Sequence, residues 1–90
     1  MDIQSFKNIR CKDMRNIIRG IKEAAYNCAD DMVKRACLEI WANMYEHQLE
    51  MWESGRFWDD PANVFIYEDI KHCSLSDYLS IANEFGGLEE

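Results

Sequence analysis

Chemistry in this chain would have to come from two histidines and four cysteines set among many carboxylates. His47 has Glu46 beside it, Glu50 three residues on and Asn43 four residues back. A His and a Glu at helical spacing can share a metal, but helical metal centres repeat such sets on facing helices. Here the other glutamates fall on the outer face of the same helix, so neither a metal nor any other cofactor is expected. His72 and Cys73 are adjacent, and on a helix their side chains point about 100° apart, which spoils direct activation of the thiol. Cys37 and His47 would make a nucleophile only if the fold brought them together. Cys11, Cys28, Cys37 and Cys73 have 16, 8 and 35 residues between them, with no CxxC pair and no zinc or thioredoxin spacing. They read as free thiols serving as small buried hydrophobes in a reducing compartment. With no nucleophile elbow, phosphate loop or dinucleotide fingerprint, the chain is expected not to be an enzyme.

Charge is more informative. Residues 1–36 hold 8 cations against 5 acids, a net of +3, whereas 37–90 hold 2 cations against 12 acids, a net of −10. The expected molecule is electrostatically bipolar. Glu39, Glu46, Glu50 and Glu53 recur at helical steps, with Asp59 and Asp60 just beyond, as one line of negative charge. Steps of about 5 to 6 Å approach the phosphate spacing of a nucleic-acid strand, so such a line can compete for a basic groove. Trp52, Arg56, Phe57 and Trp58 form a candidate anchoring rim beside it, Trp and Arg being the usual hot-spot residues. The plainer alternatives are a solvated helix face and aromatics that close the core.

Lys12, Arg15, Arg19 and Lys22 line the flank of an earlier helix, with Lys7 and Arg10 upstream. They could contact phosphates, but a net charge of −7 opposes non-specific attraction and no recognition motif is present. Direct nucleic-acid binding is therefore not favoured. The same flank could instead dock the chain's own acidic region or a second subunit's.

The elements that would carry these residues are helical, since Gly (4) and Pro (1) are scarce and strict alternation is rare. Over 12–27, Met14, Ile17, Ile18, Ile21, Ala24, Ala25 and, just beyond, Cys28 make one apolar stripe. The run 27–31 predicts a stop and restart, with Asn27 in a left-handed end position and an Asp N-cap. A second helix is expected over 31–54, ending at Gly55. Its apolar set spans about 240° of the wheel, about twice the usual stripe, so it must be covered on two sides. It should be the central helix of a compact bundle, or be covered in part by another subunit. Asp60 and Pro61 predict a helix start. Residues 64–67 suit a short buried helix, with only a weak strand candidate near 3–9 to pair with. Ser74 opens a last helix, closed by Gly86 and Gly87.

At 90 residues the chain has room for one small core and none for a separate cofactor layer. Eleven aromatics and 48% apolar residues exclude a disordered chain, and no apolar run approaches a membrane span. The first residues lack a signal-peptide core, which predicts a cytoplasmic protein. The expectation is thus an all-α single domain over 1–90, a dimeric bundle of three to five helices with 31–54 at its centre. The expected function is a non-catalytic interaction module, an acidic inhibitor or adaptor of the kind phages and mobile elements encode. It would dock its acidic helix face on the basic surface of a nucleic-acid-handling protein. A transcription regulator using the basic helix, and a structural subunit of a larger assembly, are the alternatives.

Overall fold

The computed structural model describes residues 1–84, and among these every regular element is helical: α1 (Ile3–Asn27), α2 (Met32–Met51), α3 (Pro61–Ile70) and α4 (Leu75–Glu84). A π-helical turn (Trp52–Arg56) and a 3₁₀ turn (Phe57–Asp59) join α2 to α3. The all-α reading is correct. The expected stop at Gly86 and Gly87 lies outside the described residues.

Helix α1 begins nine residues earlier than the apolar stripe predicts, absorbing the weak strand candidate near 3–9. The cause is local: the Asp2 carboxylate accepts from the backbone N–H of Ser5 at 2.7 Å and from its hydroxyl at 2.9 Å, closing the first turn. The break after Asn27 falls where expected, and Asp31 caps α2 by accepting from the N–H of Lys34. Asn27 itself is helical, and the C-cap is Cys28 at φ −105°, so no left-handed residue is used there.

Helix α2 runs on into the π-helical turn, and the reversal comes at Gly55, whose φ of +90° is the only positive value among the described residues. Asp60 caps α3 through the N–H of Ala62, with Pro61 in first position, so residues 64–67 are helical as favoured, but they are not buried as expected: Val64 and Phe65 are exposed and only Ile66 and Tyr67 turn to the core. Ser74 accepts from the N–H of Asp77 at the start of α4.

The core lies between the first half of α1, the end of α2 and the two turns. Phe6, Met14, Ile18, Trp52 and Phe57 are buried together, with Cys11, Leu49, Trp58, Ile66, Tyr67 and Ile70 packed against them. Phe6 is the hub: its ring lies 5.7 Å from Phe57, 6.1 Å from Trp58, 5.1 Å from Tyr67 and 6.2 Å from Tyr78. Two polar residues, Asp60 and Asn63, are buried beside it. Asn63, wholly inaccessible, accepts from Arg10 Nε at 3.0 Å and donates to the Phe57 carbonyl at 3.2 Å, while the Arg10 guanidinium lies over the Trp52 ring.

The central position expected for 31–54 is not what forms. Helix α2 packs chiefly along α1 as an antiparallel hairpin, and its one buried residue is Ala42. The described chain is correspondingly elongated, 47 × 27 × 17 Å. The wide apolar set required cover on two sides, and the chain supplies it on one.

Candidate protein-interaction surface

Three faces of α2 follow from its 3.6-residue period. The first, Leu38, Ala42 and Leu49, turns to α1. The second, Val33, Cys37, Ile40, Trp41 and Met44, is open: Val33 is 76% exposed, Ile40 57%, Trp41 56% and Met44 63%. Tyr45 borders it at 38%. The third carries the predicted carboxylates.

Those carboxylates divide by what they touch. Arg15 meets Glu53 at 2.7 Å and Lys22 meets Glu46, so two residues of the basic flank are clasped to two of the acidic line along the α1/α2 seam. Docking on the chain's own acidic region is thus what Arg15 and Lys22 do, and the expected bipolar surface is partly cancelled. Arg19 donates to Asn16, and Lys12 is exposed on α1. Glu39 pairs with Arg35 and Asp59 with Arg56, each within one exposed turn. Glu50 lies 3.7 Å from His47, and its side chain is 81% exposed.

Asp60 is not part of an open acidic line. It is buried at the junction, where Oδ2 accepts from Gln48 at 2.7 Å and from the Trp52 indole at 3.0 Å, and Oδ1 caps α3. Burial alone would raise its pKa; the bonds from Gln48, the Ala62 N–H and Trp52, with Arg10 nearby, outweigh that and hold it below the ordinary value.

The aromatic rim also needs correcting. Trp52 and Phe57 are core residues, 4% and 0% exposed, and Trp58 is half-buried against Phe6 and Tyr67. Arg56 alone of that set stands in solvent. The linking turns fold these rings inward because they pack edge-to-face against one another, Phe57 edge-to-face and Trp58 stacked on Phe6, with the Lys7 ammonium over Phe57 and Trp58.

His72 and Cys73 lie in the turn between α3 and α4, not on a helix, so the 100° separation expected of them does not apply, and Cys37 and His47 are not brought together. Cys37 and His47 lie on one helix ten positions apart, about 15 Å along its axis, too far for proton transfer. Cys37 is exposed, Cys11, Cys28 and Cys73 are half-buried, and all four are free thiols; burial pushes the Cys11 thiol up. Among the described residues no cluster of three His, Cys, Asp or Glu side chains is placed to hold a metal, and no helix is long and apolar enough to cross a membrane. Arg10 and Asn63 were invisible as a pair to sequence reasoning, being 53 residues apart.

Comparison with protein-family models, curated proteins and solved structures finds no match to this chain.

Proposed function

We propose that this chain is a non-catalytic protein-interaction module, an acidic adaptor or inhibitor that meets a basic surface of another protein with the carboxylate face of α2 and the turn beyond it. The observation that carries this reading is the internal clasp of Arg15 and Lys22 onto Glu53 and Glu46. It pairs two cations of the basic flank one for one with two acids, so the net charge of −7 still sets the sign of the exterior. Glu50, Glu39 and Asp59 stand on that exterior with only local partners. A field of this sign speeds encounter with basic grooves and repels phosphate backbones. A nucleic-acid-handling protein, whose grooves are basic, is the matching target, and phage-type inhibitors of such machines are the concrete case. A cytoplasmic setting suits the free thiols.

The test is affinity capture from host lysate with wild type and with a Glu39→Lys, Glu50→Lys variant. Both side chains are exposed and neither pairs with a residue of α1, so circular dichroism should be unchanged. Retention of a basic nucleic-acid-handling protein by wild type alone supports the reading. Identical retained sets overturn it.

A further inference from the structure

The open face of α2 is a separate surface, and its pattern specifies what covers it. Val33, Cys37, Ile40 and Met44 follow steps of four, three and four, the spacing of a seam between two packed helices. Trp41 flanks that seam, and no charged residue falls within it. A 20-residue helix whose only buried residue is Ala42 has most of its apolar set in water. We infer that a second copy of this chain packs on it, α2 against α2, in antiparallel orientation about a two-fold axis near Ile40, making a four-helix arrangement of two α1/α2 hairpins.

Three observations select that occupant. The first is area. Val33, Ile40, Trp41, Met44 and Tyr45 are 38% to 76% exposed. At about 100 Å² each they offer roughly 500 Å², in the upper range of apolar patches on monomers and the size of a small interface, where a standard one takes about 800 Å² from each partner.

The second is charge along the helix. Residues 30–35 at the start of α2 carry two acids and two cations, a net of zero, whereas 46–53 at and just past its end carry three acids and no Lys or Arg. A parallel pair would bring the two acidic ends together. An antiparallel pair sets each acidic end beside the other copy's neutral end, and opposes the helix dipoles favourably.

The third is shape. About a centre near Ile40, the small Cys37 of one copy falls opposite Trp41 or Met44 of the other, so small meets large on both sides of the axis, as a self-complementary interface requires. The carboxylates Glu39 and Glu50 stay outside the contact, so this assembly and the acidic reading stand or fall separately.

Sedimentation velocity over about a hundredfold dilution series tests the assembly. Wild type should show a dimer that dissociates on dilution, and an Ile40→Glu, Met44→Glu variant should be monomeric while keeping its helix content, since both side chains are exposed in the monomer. Orientation is read from Met44→Cys in the presence of native Cys37: mild oxidation should give Cys37-to-44 cross-links between copies, located by peptide mass mapping. A monomer at every concentration overturns the inference. So does a dimer that survives the double substitution, or cross-links joining only like positions.

Discussion

The indole N–H of Trp52 donates to Oδ2 of Asp60 at 3.0 Å, and through that bond the end of α2 is tied to the start of α3. The same carboxylate takes the Gln48 amide and caps Ala62. Asp60→Ala would remove the cap and leave the indole donor buried without a partner. It should cost about 2 to 4 kcal/mol in urea denaturation, against about 1 for Trp52→Phe plus its loss of packing. Because folding holds the Asp60 pKa below its ordinary 3.8, its contribution is complete above that value and is lost as pH falls through the lowered one. Acid titration of stability should show that loss in wild type and lack it in Asp60→Asn.

Asp13 has the opposite sign. Its Oδ1 is buried without a hydrogen bond, and burial pushes its pKa above the ordinary 3.8, only partly countered by Arg10. Keeping this group ionised costs the folded state free energy, so its favourable contribution exists at low pH and disappears as pH rises through the raised value. Asp13→Asn should therefore raise Tm at neutral pH and give no gain at low pH, read by thermal melting at the two pH values.

At Gly55 the backbone sits at φ +90° with nothing within 4 Å of where a Cβ would be. The obstacle to a side chain there is conformational. Gly55→Ala should lose about 1 to 2 kcal/mol, and Gly55→Asn less, since Asn tolerates positive φ better; chemical denaturation of the pair would separate strain from crowding.

The Met1 ammonium donates to the carbonyls of Lys71 at 3.1 Å and Cys73 at 2.7 Å, beyond the end of α3, and Tyr67 donates to the Met1 carbonyl at 3.4 Å. Acetylating this amine removes the charge and the geometry of both bonds. A loss of about 1 to 2 kcal/mol is expected, measured by thermal melting of the acetylated and free chains.

Much of the helical layout was legible because it is local. Asp31, Asp60, Pro61, Ser74 and Gly55 act within one turn of where they stand, and each marks its boundary. The packing was less legible because it depends on distant partners. Nothing in the spacing of Trp52, Phe57 and Trp58 says whether they face out or close on Phe6, which is about fifty positions away. The acidic line was visible as a pattern, but its pairing with Arg15 and Lys22 depends on the hairpin register. The 240° apolar arc of α2 was legible as a pattern, but spacing alone does not say which part of it meets α1; the hairpin covers the Leu38, Ala42 and Leu49 side and leaves Val33, Ile40, Trp41 and Met44 exposed.

Phe6 at the start of α1 rests on rings from Phe57 to Tyr78, while the α1/α2 seam joins segments that are neighbours in the sequence. During translation the hairpin can therefore zip as soon as α2 has left the ribosome, whereas Phe6 must wait for the rings of residues 57–78. A nascent or truncated chain ending before Phe57 would display both an uncovered Phe6 and the open side of α2. Such a fragment is the form of this protein most in need of a chaperone.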